Sequence, residues 1–158
     1  AQGNPIVVEV QVRHRNVKVQ VWKVQVGRVN LYLLDTDRHD NDPIDRWLTG
    51  HLYGGNQETR ISQEVILGIG GVKALRALGI EPGIYHLNEG HAAFCLLEVA
   101  RLEIERTGKS FYDVEKSVRD RCVFTTHTPV PAGHDVFSAD LIDSFFAQYW
   151  SQLGLSRE

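Results

Sequence analysis

Residues 6–26 alternate between apolar and polar positions with a period of two, which predicts a β-hairpin. The polar break at 14–16 predicts the turn. A third predicted strand, Val29–Leu34, contains the continuous apolar run LYLL, which is typical of a strand covered on both faces. The alternation of the hairpin is carried by valines: Val8, Val10, Val12, Val17, Val19, Val21 and, after Trp22-Lys23, Val24 and Val26.

A helical spacing replaces the alternation after residue 57. Apolar side chains then recur at steps of four or three, which predicts a helix from Gln57 to Leu78 that ends at Gly79. Glycines lie inside this helix, and we expect another element to pack closely against its backbone there. The apolar positions and the internal glycines are Ile61, Val65, Ile69, Val72 and Leu75, and Gly68, Gly70 and Gly71.

Strands and helices alternate over the rest of the chain. The predicted elements are strand Ile84–Leu87, a helix over 90–106, helix Phe111–Arg119 with a Ser110/Asp113 capping box, strand Cys122–Thr126 and a helix capped by Ser138. This order predicts an α/β fold with a Rossmann-like, doubly wound, mostly parallel sheet and an N-terminal β-hairpin. We divide the single domain 1–158 into a β-hairpin and strand region (1–36), a polar connector (37–57) and an alternating helix/strand core (58–158).

Composition narrows the classes of function. The chain has 158 residues, 42% of them hydrophobic, and a formal net charge of −3, so it offers no basic surface for nucleic acid. Its apolar stretches are shorter than the roughly 20 residues of a membrane span, so we expect a cytoplasmic protein without a membrane partner. Two cysteines in no metal-ligand or redox spacing indicate buried thiols. The absence of Met is explained either by trimming of the first residue before Ala1 or by excision from a longer chain.

Polar residues follow the ends of the predicted parallel strands, where ligands bind in such sheets. Asn88-Glu89-Gly90-His91 lies where a strand passes into a helix, whose N–H groups and dipole favour polar ligand atoms. Glu89 and His91, together with Arg60, would form a polar cluster suited to sugar hydroxyls. Asn88 alone could equally be a plain helix cap.

Three further features of the sequence have the residue types of binding sites. The histidines His86, His91, His127 and His134 lack metal-ligand spacing, so no metal site is predicted. The glycine-rich residues 68–71 lie inside a helix, which favours packing over phosphate binding. Tyr53-Gly54-Gly55-Asn56 lies in the connector before a helix and predicts either a mobile gate or an ordinary turn.

Long ordered motifs cover nearly all of this chain: LYGGNQETRISQEVILGIGGVKALRALGIEP, YHLNEGHAAF and FTTHTPVPAGHD, with VWKVQVGRVNLYLLDTD upstream. The chain resembles the later part of the N-terminal domain of the α-glucan (glycogen/maltodextrin) phosphorylases, especially the shorter bacterial form. The resemblance implies two Rossmann-like domains facing a cleft, the GT-B arrangement. It also implies cleavage of α-1,4-glucan or maltodextrin by phosphate to give α-glucose 1-phosphate, and a homo-oligomer.

The resemblance also implies pyridoxal phosphate as cofactor. The resemblance also implies that its lysine and the main phosphate-binding residues lie in the C-terminal domain. In this chain, none of Lys18, Lys23, Lys73, Lys109 and Lys116 occupies a matching motif. This fragment is therefore expected to be inactive alone and to hold no cofactor. We expect the C-terminal domain of the same enzyme to be its partner.

Site residues follow from the resemblance motif by motif. His127, in TTHT, matches the family histidine that hydrogen-bonds glucose in the catalytic subsite. Glu89 and His91, in NEGH, match residues that line the adjoining pocket, although animal enzymes have Asp-Thr-His there. Arg60, in ETRISQE, matches an arginine of the same pocket, so an Arg60–Glu89 pair is expected. Residues 53–56 correspond to a longer gating loop of animal enzymes. The four matched residues His127, Glu89, His91 and Arg60 are expected to position sugar rather than to transfer protons.

Two alternatives remain open at this point. A nucleotide-sugar glycosyltransferase, such as a glycogen synthase, needs a glycine-rich donor loop with a basic residue, which the sequence lacks. A non-catalytic carbohydrate-binding or assembly module needs only the sugar contacts. If family strands are missing from the sheet edge, we also expect self-association through the hairpin at residues 6–26.

Overall fold

The computed structural model describes residues 4–51, 55–130 and 134–156. Five strands and six α-helices lie in those ranges, so the mixed α/β class is confirmed. A π-helical turn, Ile66–Gly70, joins two of the helices, and 3-10 turns lie at Gly90–Ala92 and Trp150–Leu153. In chain order the elements are β1 (Val7–Val12), β2 (Arg15–Val26), β3 (Val29–Asp35), α1 (Pro43–Arg46), α2 (Gln57–Val65), α3 (Gly71–Ala77), β4 (Tyr85–Asn88), α4 (Cys95–Thr107), α5 (Phe111–Arg119), β5 (Cys122–Thr125) and α6 (Ala139–Phe146).

The first three strands form an antiparallel sheet in the order β1-β2-β3. The predicted hairpin is confirmed, with its turn at Arg13-His14 between the paired residues Val12 and Arg15. β3 was expected to begin a parallel sheet, and this is wrong. Only two residues separate β2 from β3, and Gly27 among them has φ +59°. A parallel connection needs a crossover of a dozen residues or more, so this short turn returns the chain antiparallel.

The second sheet is the parallel pair β4–β5, in register from Tyr85↔Cys122 to Asn88↔Thr125. Helices α4 and α5 supply the crossover between the two strands. The strand-helix-strand interpretation is confirmed for this half of the molecule. In the described residues, however, this pair is separate from β1–β3, so the single, mostly parallel sheet that we expected is not formed there.

Close packing around the helical segment explains its glycines. An added Cβ at Gly68 would lie 2.7 Å from the backbone N of Cys95, and one at Gly70 would lie 3.0 Å from Cγ2 of Val10. The absence of a side chain at Gly68 therefore lets the start of α4 pack against the helical segment, and the absence of one at Gly70 lets β1 pack against it. Gly71 faces open space and has no such role. The predicted packing function is therefore confirmed for two of the three glycines.

The helix ends follow their sequence signals. Ser110 and Asp113 form the predicted capping box, and the Ser138 side chain accepts a hydrogen bond from the backbone N–H of Leu141. Gly79 has φ +70° after α3, and Gly108 has φ +69° after α4. Each glycine adopts the left-handed conformation that closes a helix. None of the described helices is long and apolar enough to cross a lipid bilayer.

The far ends of β2 and β3 form a two-stranded ribbon with one apolar face. No bulge follows Trp22-Lys23, so the change of phase in the sequence moves the later valines to the face opposite Val17 and Val19. Three cross-strand pairs share this ribbon face: Trp22↔Leu33, Val24↔Leu31 and Val26↔Val29. Leu31 is 48% exposed. The expectation that the LYLL strand is covered on both faces is therefore wrong for this chain, because no described element packs on the ribbon face.

Candidate functional site

The carboxyl ends of β4 and β5 bring Asn88 and His127 together. Asn88 is the last paired residue of β4, opposite Thr125 of β5, and His127 follows two residues later. Nε2 of His127 lies 2.9 Å from Oδ1 of Asn88. With Asn88 Oδ1 as acceptor, His127 donates through Nε2 and its Nδ1 is the acceptor nitrogen of the ring. The His127 side chain is exposed, so the pair presents donors and acceptors at the surface of the strand ends.

Glu89 fixes the loop that carries His127. Its carboxylate accepts hydrogen bonds from the backbone N–H of His127 at 2.5 Å and of Thr128 at 3.0 Å, and from the hydroxyls of Thr126 and Thr128 at 3.2 Å each. These donors, led by the His127 N–H, lower the pKa of Glu89. Glu89 has φ +60°, which is unfavourable for a side chain of this size. The hydrogen-bond set holds the residue in that conformation.

The expected Arg60–Glu89 pair is wrong, because each partner is engaged elsewhere. Nη2 of Arg60 lies 2.7 Å from Oδ2 of Asp135, and its Nη1 donates to Oε1 of Gln63 at 3.1 Å. Glu89 is only 8% exposed and directs its oxygens at the loop 126–128. Sequence reasoning missed Asp135 as the ion-pair partner, since nothing in its spacing from Arg60 signals contact across 75 residues.

His91 and Glu64 complete a second polar cluster around Arg60. Nδ1 of His91 lies 3.4 Å from Nη2 of Arg60, 3.6 Å from Oε1 of Glu64 and 3.8 Å from Oδ2 of Asp135. The structure therefore brings the predicted residues Arg60 and His91 together. The four-residue spacing of Arg60 and Glu64 on α2 was the sequence signal that could have revealed Glu64, because such residues share a helix face.

The two acids of this cluster have opposite electrostatic environments. Burial, followed by a hydrogen bond with Asp135 and the charge of Asp135, raises the pKa of Glu64 to about 8, against the opposing effect of Arg60. The hydrogen bond from Arg60 lowers the pKa of Asp135. Asp135 is thus the charged partner of Arg60. Glu64 is the acid that burial and a neighbouring carboxylate favour in its protonated form.

Glu64, His91 and Asp135 point one potential ligand atom each into the same space, all within 4.8 Å of one another. The guanidinium of Arg60 lies among the same atoms, 2.7 Å from Asp135 and 3.9 Å from Glu64. A cation there would be repelled by Arg60, which already supplies the positive charge. We therefore assign no metal to this cluster.

A cavity of about 480 Å³ adjoins the cluster. Arg60, Glu64 and His91 lie at its polar end, and His51 also lines it. Its size is within the range of small-molecule sites, roughly 300–1,000 Å³. The apolar part of its wall is formed by Leu33, Leu34, Leu48, Ile66 and Leu67.

The predicted gate is only partly described. Tyr53 and Gly54 lie outside the described residues. Gly55 has φ +91°, and an added Cβ there would lie 2.5 Å from Oγ1 of Thr59. Asn56 caps α2, because its Oδ1 accepts the backbone N–H of Thr59 at 3.0 Å. The described half of this segment is therefore a helix-capping turn, which favours the turn over the gate.

Comparison with known proteins gives relatives that cover nearly the whole chain. It is 45% identical over 148 residues to the maltodextrin phosphorylase of Thermococcus litoralis, which is 94% of this chain and 18% of that relative. It is 44% identical over 151 residues to the glycogen phosphorylase of Mycobacterium tuberculosis, covering 92% of this chain and 18% of the relative. The glycogen phosphorylase of Aquifex aeolicus is 34% identical over 146 residues, with 92% and 21% covered. No family model matches the chain.

Proposed function

Since this chain matches a segment of the glycogen and maltodextrin phosphorylase family, we propose that it forms one wall of the sugar-binding site of an α-glucan phosphorylase. The chain spans about a fifth of the length of these curated relatives, 18% to 21%. The proposed reaction of the whole enzyme is the cleavage of α-1,4-glucan or maltodextrin by inorganic phosphate to α-glucose 1-phosphate. In this proposal the 158-residue chain binds sugar and does not turn it over alone.

The observation that carries the proposal is the Asn88–His127 pair at the ends of β4 and β5. An amide and an imidazole at fixed separation offer sugar hydroxyls both donors and acceptors, and the exposed imidazole face can pack against a pyranose ring. Because the hydrogen bond already holds both side chains in place, little of their conformational freedom has to be lost when sugar binds. His127 is the residue we place against the reacting glucose.

The remaining predicted residues have different parts in this proposal. Arg60 and His91 form the second polar wall, beside the cavity. Glu89 holds the loop 126–128 in place rather than contacting sugar. Its oxygens already accept hydrogen bonds from that loop. These residues position sugar, and none is assigned as a general acid or base.

We propose that the lysines of this chain do not hold pyridoxal phosphate, the cofactor that the family resemblance implies. Lys18 pairs with Asp40, Lys116 pairs with Asp120, and Lys73 donates to the backbone oxygen of Glu9. The two other lysines, Lys23 and Lys109, are exposed. We propose that the cofactor and the phosphate are bound by the C-terminal domain of the same enzyme, a cytoplasmic homo-oligomer.

The names of the relatives favour phosphorolysis over transfer from a nucleotide sugar, which was the first alternative. The test compares the 158-residue chain with a polypeptide of the relatives' length that contains it. Phosphate-dependent release of glucose 1-phosphate from maltodextrin is measured for both. We expect release by the longer polypeptide only. Sugar binding without release by either polypeptide would contradict the proposal and support a carbohydrate-binding module.

The role of His127 is tested in the longer polypeptide. We expect His127→Ala to lower kcat/KM by about 10²-fold, the usual cost of losing one well-placed polar contact to a reacting group. His14→Ala is the matched control, since His14 is an exposed histidine in the β1–β2 turn, and we expect no change. Unaltered kinetics of the His127 variant would remove His127 from the site.

A further inference from the structure

One buried oxygen of Glu64 receives no hydrogen bond from the described residues. The residue is 5% exposed, and the oxygen in question is Oε1. Nη2 of Arg60 is 3.9 Å from Oε1 and donates to Asp135 instead. A buried carboxylate without donors pays a large desolvation penalty and takes up a proton instead.

Charged and titratable groups face Glu64 from each element around it. Arg60 lies on the same helix, His91 lies on the 3-10 turn at Gly90–Ala92, and Asp135 lies on the segment before α6. His51 lines the same cavity from the connector. Nδ1 of His91, at 3.6 Å from Oε1, is beyond hydrogen-bond distance. Asp135 is the group that a proton on Glu64 can bridge to, because the two carboxyl groups adjoin and Asp135 is ionised against Arg60.

We propose that Glu64 is a protonated positioning residue, whose carboxyl group donates a hydrogen bond to Asp135 and holds the segment 134–136 against Arg60 and His91. The arrangement gives Asp135 two donors, one charged and one neutral. Among the described side chains of the cluster, it also leaves the negative charge of Asp135 beside the guanidinium of Arg60, so these two charges balance.

The segment held by Glu64 reaches the sugar-binding loop. Nε2 of His134 lies 3.1 Å from the backbone oxygen of Thr128, next to His127. Gln57 of α2 donates to the backbone oxygen of Val136 at 3.1 Å. If Glu64 loses its proton, two adjacent carboxylates repel, and the repulsion acts on a segment that touches the loop of the proposed site. Glu64 therefore links the protonation of the cluster to the placement of the sugar contacts.

The decisive experiment is a carboxyl ¹³C NMR titration of the 158-residue chain labelled on its glutamates. We expect the Glu64 carboxyl signal to titrate near pH 8, and we expect this titration to be absent from Glu64→Gln. Glu115→Gln, at an exposed glutamate of α5, is the matched control and should leave it in place. Titration of every glutamate below pH 6 would overturn the proposal, as would retention of the high titration in Glu64→Gln.

A second readout separates positioning from bulk stability. Hydrogen-exchange protection of the amides at 135–137 should drop as the wild-type pH passes 8, and should show no such step in Glu64→Gln, whose amide still donates to Asp135. Glu64→Leu, which has no donor, should lose about ten- to a hundredfold of this protection at pH 6. Should Glu64→Leu not fold, Asp135→Asn replaces it. This variant removes the neighbouring charge and should lower the titration of Glu64. An unmoved titration would count against the pairing.

The last readout rests on the proposed function. Binding of maltoheptaose by the wild-type chain should weaken above pH 8, while Glu64→Gln should bind as the wild type does at pH 6 and keep that affinity above pH 8. A wild-type chain that binds no sugar under any condition would contradict the proposed function, and the NMR titration would still decide the state of Glu64. A pH dependence that persists in Glu64→Gln would exclude Glu64 as its source.

Discussion

Glu89 and Glu64 are two buried glutamates of the same site with opposite electrostatic environments. Four donors converge on Glu89, two of them backbone N–H groups, and they lower its pKa. Glu64 is desolvated by burial, no donor among the described residues reaches its Oε1, and Asp135 adds a negative charge, so the pKa of Glu64 rises to about 8. Burial alone does not decide the charge of a carboxyl group; the balance of donors and neighbouring charges does.

The two acids hold different loops by different means. The ionised Glu89 carboxylate accepts hydrogen bonds from N–H and O–H groups of residues 126–128. Glu64, as a neutral acid, donates to Asp135 and leaves the single negative charge to Arg60. Each loop borders the Asn88–His127 pair directly or through the His134–Thr128 contact. The comparison predicts that changes to either acid are felt in sugar binding, with opposite dependence on pH.

The largest expected effect is that of Glu89→Ala in an enzyme of the relatives' length. Removal of the common acceptor releases the backbone around His127, and a displacement of about 1 Å at a positioning group can lower kcat/KM about 10²-fold. The measurement is phosphorolysis of maltodextrin, with Glu115→Ala as the surface control. Kinetics equal to those of the control would show that the loop keeps its place without Glu89.

Next in size is the dependence of folding stability on pH above pH 5. The folded state keeps the Glu64 proton up to about pH 8, whereas the unfolded chain releases it near pH 4.5. The folded state therefore binds more protons across this window, and the free energy of unfolding falls as pH rises, by up to about 1 kcal/mol per pH unit. Urea unfolding at pH 5 to 8 measures it. Glu64→Gln should flatten this slope, and an equal slope in both proteins would contradict the assignment.

Below pH 5 the comparison predicts the reverse behaviour for Glu89. Its pKa in the folded state lies below that of the unfolded chain, so its contribution to stability is present above the unfolded pKa and is lost as pH falls through the folded pKa. Glu89→Gln should weaken this acid-side loss and leave the slope between pH 5 and 8 unchanged. The same urea series, extended to pH 3, measures both arms. If Glu89→Gln changed the slope of the unfolding free energy only between pH 5 and 8, the assignment of the lowered pKa to Glu89 would be wrong.

The smallest expected effect is that of Thr126→Val. The variant removes one hydroxyl donor from Glu89 and keeps the side-chain shape, so the pKa of Glu89 should rise slightly. Because the Thr126 side chain is exposed, its hydrogen bond contributes no more than about 1 kcal/mol. Carboxyl NMR of Glu89 checks the direction, and a lower pKa in the variant would be inconsistent with the role of this donor.

Local signals in the sequence predicted much of the fold, because hairpin alternation, helical spacing and capping act between near neighbours. The α5 boundaries, the Ser138 cap and the packing at Gly68 are examples. The partner of β3 was not predictable from its apolar run. The two-residue turn decides that β3 is antiparallel, and the ribbon face is exposed because nothing described in this chain packs on it.

Sequence motifs indicated residues that the structure brings close together, but not which of them pair. Asn88, His91, His127 and Arg60 were named from motifs, and the structure places them in two adjoining polar groups. The Arg60–Glu89 pair failed because a positive φ at Glu89 turns its carboxylate toward residues 126–128. Such backbone geometry, and the long-range approach of Asp135 to Arg60, leave no trace in spacing along the chain.

The most direct test of the central claim, that sugar binds at the ends of β4 and β5, is a ¹H–¹⁵N NMR titration of the 158-residue chain with maltoheptaose. We expect saturable shifts at the amides of 88–91 and 126–128, and none at these positions with cellohexaose, whose glucose units are β-1,4-linked. Shifts confined to the ribbon face, or equal responses to both sugars, would contradict it.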